Sequence, residues 1–283
     1  MKNLTDLNEV RFALSQHGIV LSKGMGQNFL INPTVCPRMA ELSGADGETG
    51  VIEVGPGIGV LTVELAKLAK RVVAIELDTR LEGLLAENLT DYPNAEVVWG
   101  DVLKIDLPAL IEDKFSDCKK VIVCANLPYY ITSPIIMGLL EQRLPLDSIT
   151  VMVQREAAER MCAPVGSRAS GAVTVSVHYY SEPEVLFRVS AGSFLPAPKV
   201  DSAVMKLDIL SEPPVDVGDE AVFRRLVRSG FSQRRKTLMN SAASGGFGKE
   251  QLGDALDSCG IARTARIEEL TMQQLAALSR QLS

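Results

Sequence analysis

Short apolar runs alternate with segments of helical hydrophobic spacing over residues 1–210. The apolar runs cover residues 51–54, 71–77, 96–99, 121–125 and 148–153. Their lengths are those of buried strands, and helical patterns such as Val60, Leu61, Leu65 and Leu68 lie between them. Strands that alternate with helices predict an α/β fold built on a largely parallel sheet.

The pattern changes after a proline- and glycine-containing stretch at residues 211–219, which is typical of a linker. Beyond it the apolar positions follow helical spacing, beginning with Val222, Phe223, Leu226, Val227 and Phe231. We therefore predict two domains. Residues 1–210 form the α/β domain and residues 211–283 form a small all-helical domain.

The N-terminal residues predict an amphipathic helix behind Thr5 as its cap. Asp6 and Glu9 stand where a signal peptide would be basic and then apolar, and the sequence has no apolar run of transmembrane length. A cytoplasmic protein is expected.

The first predicted strand leads into Gly55-Pro56-Gly57-Ile58-Gly59 and then into a helix, which is the order of a Rossmann-type first crossover. These glycines allow a ligand close to the backbone, and Glu53 is placed to meet a cationic or amine group. A dinucleotide fingerprint needs a small residue where Val60 stands. Pyrophosphate binding, and with it a nicotinamide oxidoreductase, is therefore disfavoured. S-adenosylmethionine, which has no phosphate, fits better.

Polar residues follow the next strands as well. Glu76 lies 21 residues after Gly55, close to the distance of about 20 at which an acidic residue binds a ribose diol. Asp101 follows the third strand and can accept a hydrogen bond from an adenine amine, and Asn126 follows the fourth. Carboxyl ends of parallel strands meet at one edge of a sheet, so these residues are predicted to line one cleft.

The loop after the fourth strand reads Asn126-Leu127-Pro128-Tyr129-Tyr130. An exocyclic amine such as adenine N6 is a poor nucleophile, because its lone pair is delocalised into the ring. The Asn126 side-chain oxygen and the Leu127 carbonyl can both accept from that amine and favour a pyramidal nitrogen. Tyr129 can stack on the base. The alternative is a turn with two tyrosines half packed into the core.

Phe194 has two equal interpretations, a second ring against the base or a core residue.

Net charge is −6, which by itself argues mildly against a nucleic-acid partner. The charge is unevenly distributed, with −7 over residues 1–210 and +1 over residues 211–283. Six basic residues lie between positions 221 and 240, where there is no acidic residue: Arg224, Arg225, Arg228, Arg234, Arg235 and Lys236. This segment predicts phosphate binding, and a solvated helix face is the alternative.

Histidine and cysteine content bears on metal binding. The chain has two histidines and five cysteines, and no two cysteines form a Cys-x-x-Cys pair. A zinc site is not expected, and the cysteines are expected to be reduced thiols.

An ordered set of motifs resembles the ribosomal small-subunit RNA adenine-N6 dimethyltransferases. It runs from about Gly24 to Asn240 and comprises Gly26-Gln-Asn-Phe-Leu30, Glu53-Val-Gly-Pro-Gly-Ile-Gly59, Glu76-Leu-Asp78, Gly100-Asp101, Asn126-Leu-Pro-Tyr129, Phe194-x-Pro-x-Pro-Lys-Val-Asp-Ser-Ala-Val204 and Phe231-x-x-Arg-Arg-Lys-x-Leu-x-Asn240. Each motif alone is weak, but the ordered set is highly specific.

The resemblance implies a Rossmann-like class I methyltransferase that uses S-adenosylmethionine to dimethylate two adjacent adenines in a hairpin loop near the 3′ end of 16S rRNA. Its partner is then 16S rRNA within the small ribosomal subunit, and the protein is a monomer without metal or membrane attachment. The implied cofactor contacts are Asn28, Leu30, Gly55, Glu76, Asp101 and Asn126. The implied catalytic set is Asn126, Leu127, Pro128, Tyr129 and Phe194. Residues 27–30 are implied to close over the methionine part of the cofactor.

Two departures from the family pattern are modest. Met25 stands where leucine is frequent, and Ala169-Ser170-Gly171 replaces a tyrosine-glycine pair. Relatives that modify large-subunit RNA and confer antibiotic resistance share nearly every motif, and an RNA-binding assembly factor without catalysis is a further alternative. DNA adenine and protein glutamine methyltransferases favour proline at the position of Leu127, which argues against them.

Overall fold

The computed structural model describes residues 4–19 and 28–283. The strands within them are β1 (Phe29–Leu30), β2 (Thr49–Val54), β3 (Arg71–Glu76), β4 (Ala95–Trp99), β5 (Lys120–Asn126), β6 (Ser148–Gln154), β7 (Ser181–Val189), β8 (Phe194–Leu195) and β9 (Ser202–Ile209). The helices are α1 (Leu7–Gln16), α2 (Val35–Leu42), α3 (Val60–Leu68), α4 (Glu82–Asn88), α5 (Leu107–Phe115), α6 (Thr132–Glu141), α7 (Arg155–Met161), α8 (Ala172–Tyr180), α9 (Glu220–Ser232), α10 (Leu238–Ser241), α11 (Lys249–Ser258) and α12 (Met272–Leu282). No helix in these ranges is long and apolar enough to cross a bilayer.

The N-terminal helix begins one residue later than its predicted cap implies. Asp6, not Thr5, is the N-cap of α1, because its carboxylate accepts from the amides of Asn8 at 2.9 Å and Glu9 at 3.0 Å. An aspartate at this position satisfies amides that have no partner inside the helix and also favours the positive end of the helix dipole. The Thr5 prediction was wrong.

Seven strands form one sheet in the order β4-β3-β2-β5-β6-β9-β7. Strand β2 is parallel to β3 on one side and to β5 on the other, so that Val51 is opposite Val72 and Ile122. The chain runs outward through β3 and β4, then returns to the other side of β2 with β5. This reversal creates a crevice at the carboxyl ends of β2 and β5, which is where open α/β sheets bind ligands.

The central strands are buried on both faces. Val51, Ile52, Val72 and Val123 are each 0% exposed, so consecutive positions of these strands are buried whichever face they point to. A strand in this environment needs apolar residues at consecutive positions, which explains the continuous apolar runs of the sequence. The predicted α/β Rossmann-like fold is confirmed.

Two antiparallel pairings bring later parts of the chain to the same edge. In the main sheet β9 is antiparallel to β6, and Ser202 is opposite Gln154 at the carboxyl end of β6. A separate two-stranded sheet joins β1 to β8, with Leu30 opposite Phe194. The start of β9 and the segment after residue 27 are thereby both held by strand pairing.

The chain divides into two compact units, Met1–Ala158 with Glu184–Ile209, and Glu159–Pro183 with Leu210–Ser283. The boundary between residues 209 and 210 lies one residue from the boundary that the sequence predicted, between residues 210 and 211. Residues 159–183, however, group with the C-terminal helices. Within that unit the ring of Tyr179 lies 4.9 Å from the ring of Phe223. The Tyr179 hydroxyl donates to Glu220 at 3.2 Å. The apolar pattern of α8 predicted burial but could not identify α9 as its partner.

Candidate active site

The residues predicted at successive strand ends line one cavity in the first unit. It is formed at the carboxyl ends of β2, β3 and β5, and by the residues that follow β4. The sequence-predicted residues that line it are Asn28, Leu30, Gly55, Glu76, Asp101, Asn126, Leu127, Pro128 and Tyr129. The topology of the sheet, with its reversal between β2 and β5, brings them together.

Two glycines after β2 have different structural roles. Gly55 has φ +70°, and a Cβ at this position would meet nothing within 4 Å, so its backbone faces open space in the cavity. Gly57 has φ +59°, and its Cβ would lie 3.1 Å from the ring of Phe29. Gly55 therefore leaves room for a ligand against the backbone, whereas Gly57 allows β1 to pack closely.

The segment before β1 is only partly described. Gln27, the first of the residues that the family resemblance assigns to cofactor closure, lies outside the described residues, as does Gly26. Asn28 is half-buried and lines the cavity, and Leu30 is 4% exposed beside it. Pairing of Leu30 with β8 fixes the cavity wall at this point.

Glu76 is the last residue of β3, and its carboxylate is buried at the cavity wall. One oxygen accepts from the amides of Leu77 at 2.9 Å and Asp78 at 2.8 Å, and the other accepts from the amide of Gly57 at 3.2 Å. Burial raises the pKa of Glu76, and these backbone hydrogen bonds oppose that rise. The carboxylate is thus held between the glycine turn and the end of β3.

Glu53 lies in β2 and also lines the cavity, although its side chain is almost completely buried. Its Oε2 has no hydrogen-bond partner among the described residues. Burial raises the pKa of Glu53 to about 8. The Thr62 hydroxyl opposes the rise, and the negative charge of Glu76 adds to it. At neutral pH the carboxyl is therefore largely protonated, a property that sequence reasoning missed because it depends on burial from all sides.

Asp101 follows β4 and is half-buried. Its Oδ1 accepts from the amide of Leu103 at 3.0 Å, and the Lys104 ammonium lies 3.6 Å from Oδ2. The preceding amide, that of Gly100, donates to the carbonyl of Glu76 at 2.8 Å. This backbone bond ties the Asp101 loop to the end of β3, so that two carboxylates border the same part of the cavity.

Two oxygen acceptors at the end of β5 have no partner in residues 4–19 and 28–283. They are the side-chain oxygen of Asn126 and the carbonyl oxygen of Leu127. The amide of Leu127 donates to Met152 at 3.1 Å, so the backbone here is held by the sheet. Both residues line the cavity, where a ligand amine could satisfy these acceptors.

Tyr129 begins a 3₁₀ turn, Tyr129–Ile131, directly after Pro128. Its hydroxyl lies 2.6 Å from Oγ of Ser202, the first residue of β9. Burial raises the pKa of the Tyr129 hydroxyl, and the hydrogen bond to Ser202 opposes the rise. Ser202 stands in one of the family motifs, but its role was not predicted, because the register of β9 on β6 cannot be read from the sequence.

Phe194 does not line the cavity. It is 3% exposed and belongs to the hydrophobic core with Val189 and Val204. Leu30, its partner in the pairing of β1 with β8, is 4% exposed and nevertheless lines the cavity, so burial is compatible with both interpretations. The assignment of Phe194 to the target base stays a prediction.

The six basic residues of the second unit are not equivalent. Arg224 donates to Glu220 at 3.1 Å within α9. Arg234 donates to Glu268 at 3.2 Å and to the carbonyl of Arg168 at 2.8 Å. Arg224 also donates to the Tyr180 hydroxyl of α8 at 3.3 Å, so both guanidinium groups connect separate segments of the unit.

The other four residues of the set are exposed. The guanidinium of Arg225 lies over the ring of Phe247 at 4.6 Å, and Arg228 lies on α9. The side chains of Arg235 and Lys236 have no hydrogen bond or ion pair with any residue in the described ranges. Sequence spacing could not distinguish paired from unpaired charges, since the partners Glu268 and Arg168 are far away along the chain.

Comparison with known proteins identifies close relatives over the whole length. The family described as "Ribosomal RNA adenine dimethylase" matches residues 21–283. Ribosomal RNA small subunit methyltransferase A of Geobacillus thermodenitrificans is 45% identical over 285 residues, which is 99% of this chain and 97% of the relative. The protein of the same name from Shouchella clausii is 45% identical over 269 residues, 94% of this chain and 91% of the relative.

Solved structures agree with this family at lower identity. A dimethyladenosine transferase from Plasmodium falciparum superimposes with a TM-score of 0.72 at 27% identity, covering 88% of this chain and 95% of the other. The 23S rRNA methyltransferase ErmE gives a TM-score of 0.66 at 29% identity, covering 90% of this chain and 99% of the other. The resemblance inferred from the sequence motifs is confirmed, and the chain belongs to the ribosomal RNA adenine dimethylase family.

Proposed function

We propose that the protein dimethylates N6 of two adjacent adenines in the 3′-terminal hairpin loop of 16S rRNA, with S-adenosylmethionine as methyl donor. The observation that carries this proposal is a pair of acceptors that have no partner in the described part of the chain, the Asn126 amide oxygen and the Leu127 carbonyl, on a cavity that Gly55 and Glu76 also line. An adenine amine fits such a pair, because its two N–H groups match two acceptors.

The choice of small-subunit RNA as the substrate rests on a comparison of sequence identities. Relatives named ribosomal RNA small subunit methyltransferase A reach 45% identity over nearly the whole chain, whereas the 23S rRNA methyltransferase ErmE is 29% identical. We further infer that the protein acts as a monomer on 16S rRNA within the cytoplasmic small subunit.

Three features of the cavity fit S-adenosylmethionine. The open space over Gly55 admits a ligand against the backbone, and the buried carboxyl of Glu53, whose Oε2 has no partner among the described residues, suits hydrogen bonding to an amine. Glu76 and Asp101 offer carboxylate oxygens for a ribose diol and an adenine amine. When bound, S-adenosylmethionine supplies a methyl group on a positively charged sulfur, which is a good leaving group.

The protein's own contribution is orientation and hydrogen bonding. Asn126 and Leu127 accept from the adenine amine, which localises the nitrogen lone pair and fixes its direction. Tyr129, anchored by Ser202, forms a wall against which the base can stack. The methylated amine then loses an acidic proton to water, so no strong base is required. A mono-methylated amine retains one N–H, and one acceptor suffices to hold it for the second transfer.

The test is radiolabelled methyl transfer to small subunits purified from cells that lack the modification. We expect label in N6,N6-dimethyladenine, identified by mass spectrometry of the digested RNA. Large subunits and DNA serve as parallel substrates. Preferential labelling of large-subunit RNA would favour the activity of ErmE-like enzymes and would overturn the proposed substrate. Absence of transfer to any RNA, with binding to the subunit retained, would favour a non-catalytic assembly factor.

A further inference from the structure

Tyr130 is unusual among the residues that line the cavity. Its side chain is 60% exposed, and it makes no hydrogen bond or ring contact with any residue in the described parts of the chain. Phe12 is the other strongly exposed aromatic residue in those parts, and it does not line the cavity. A large aromatic ring left in water at the edge of a binding site is a ready contact surface for a ligand.

The neighbouring tyrosines face different surroundings because they share a 3₁₀ turn, in which successive side chains point about 120° apart. Tyr129 is half-buried, and Ser202 fixes its hydroxyl. Tyr130 lies at the rim instead. The Tyr129 ring is thus fixed by its hydrogen bond, and the Tyr130 ring is exposed at the rim of the cavity.

The position of Tyr130 in the sheet separates it from two of the proposed cofactor contacts, Glu76 and Asp101. Tyr130 follows β5, whereas Glu76 ends β3 and Asp101 follows β4, and β2 lies between the two groups. Tyr130 is therefore on the side of the cavity where Asn126 is proposed to hold the target amine. A group that contacts Tyr130 belongs to the RNA rather than to the cofactor.

The proposed substrate has two adenines in direct succession, so a second base accompanies the one in the cavity. We propose that Tyr130 stacks on the adenine adjacent to the target and so positions the pair at the rim. This inference rests on the proposed function. Stacking suits the task, since every base has a π face and the contact is retained when the two adenines exchange places between rounds of methylation.

The experiment compares Tyr130→Ala, Tyr130→Leu and Tyr130→Phe with the wild type on unmodified small subunits. We expect Ala and Leu to raise the KM for the subunit roughly 5- to 100-fold, the range that one base–aromatic stack represents. Phe should keep the wild-type KM within about twofold, because stacking does not need the hydroxyl. Mass spectrometry should also show slower dimethylation of both adenines by the Ala and Leu variants. Phe12→Ala, an exposed aromatic away from the cavity, is the matched control and should change neither value.

Several results would overturn the proposal. One is an unchanged KM in Tyr130→Ala, and another is rescue by Leu to the same degree as by Phe, which would indicate an apolar contact without stacking. A third contradicting result would come from calorimetry with S-adenosylmethionine alone. It would be a loss of cofactor affinity in Tyr130→Ala while the KM for the subunit stays unchanged.

If the wild type transfers no methyl group, the proposed function fails. Equilibrium binding of wild type and Tyr130→Ala to the unmodified subunit then still decides the role of the ring. Circular dichroism confirms that each variant is folded.

Discussion

The hydroxyl of Tyr129 lies 2.6 Å from Oγ of Ser202, although the two residues are 73 positions apart. Tyr129 is in the loop after β5 and Ser202 begins β9, and β6 lies between these strands in the sheet. The hydrogen bond therefore spans the end of β6. Since burial keeps the tyrosine neutral, its O–H remains available, and the ring that faces the proposed base is held at a fixed angle.

A double-mutant cycle on this pair should reveal coupling in both stability and catalysis. We expect Ser202→Ala and Tyr129→Phe each to cost about 0.5–1.5 kcal/mol in urea unfolding, the net worth of one hydrogen bond. The double variant should cost little more than either single variant, because both remove the same bond. The value of kcat/KM should fall severalfold in each and follow the same non-additive pattern.

A control for general loosening of the loop is Thr132→Val, which removes a different hydrogen bond, 3.2 Å long, from the Thr132 hydroxyl to the Pro128 carbonyl. Its effect should be additive with Ser202→Ala. Additive effects of Ser202→Ala and Tyr129→Phe would mean that the two hydroxyls act independently.

Replacement of Asn126 should separate chemistry from cofactor binding. Asn126→Ala removes one of the two acceptors proposed for the adenine amine, and we expect kcat to fall at least about 100-fold, as for loss of one preorganised hydrogen bond at a reacting centre. S-adenosylmethionine binding, measured by calorimetry, should weaken without being lost, because Gly55, Glu76 and Asp101 remain. Asn126→Asp retains an acceptor oxygen and should be more active than Asn126→Ala. Undiminished methylation by Asn126→Ala would refute the role of this residue.

The sequence was informative where local pattern and strand order determine the outcome. Gly55, Glu76, Asp101 and Asn126 lie at the carboxyl ends of successive strands, and the rule that parallel strands end at one edge was enough to predict their convergence. The order of the motifs added Asn28 and Leu30, to which no spacing argument applied.

Long-range pairing explains what the local pattern left open. The sequence around Phe194 suits a binding site and a core equally, and its 3% exposure and its register opposite Leu30 depend on the pairing of β8 with β1. The bond from Ser202 to Tyr129 depends on the antiparallel addition of β9, and the grouping of α8 with α9 depends on a contact between Tyr179 and Phe223. Each is a contact between residues distant in sequence, and no local propensity specifies it.

The buried carboxyl of Glu53 should make stability depend on pH. Its pKa is raised by burial to about 8 in the folded protein, from an ordinary value near 4.5. Between these values the unfolded chain releases the proton and the folded protein keeps it. The contribution of Glu53 to stability is therefore fully present below about pH 4.5 and is lost as pH rises towards 8, with a slope of up to about 1.4 kcal/mol per pH unit.

Glu53→Gln, which cannot ionise, should remove this dependence. Urea unfolding at pH 5, 6, 7 and 8 should show the variant gaining stability over the wild type as pH increases. Asp46→Asn is a suitable control, because the hydrogen bond from Lys120 lowers the pKa of Asp46 to about 2, below the range measured. Its stability difference from wild type should stay constant from pH 5 to 8. A constant difference for Glu53→Gln as well would show that Glu53 is ionised in the folded protein.

Exposed and paired arginines of the second unit should differ in their effect on RNA binding. Arg235 and Lys236 have no partner in the described residues, so each is free to neutralise a phosphate. Arg235→Ala and Lys236→Ala should each weaken binding to the small subunit and lower the slope of log K against log salt by about one, without a change in unfolding free energy. Lys249→Ala removes an equal, exposed charge from α11 and should leave the slope unchanged. Arg224→Ala removes the half-buried pair with Glu220 and the hydrogen bond to the Tyr180 hydroxyl, and should instead reduce stability, by about 1 kcal/mol. Equal slopes for Arg235→Ala and Lys249→Ala would show that the RNA is bound by a different face.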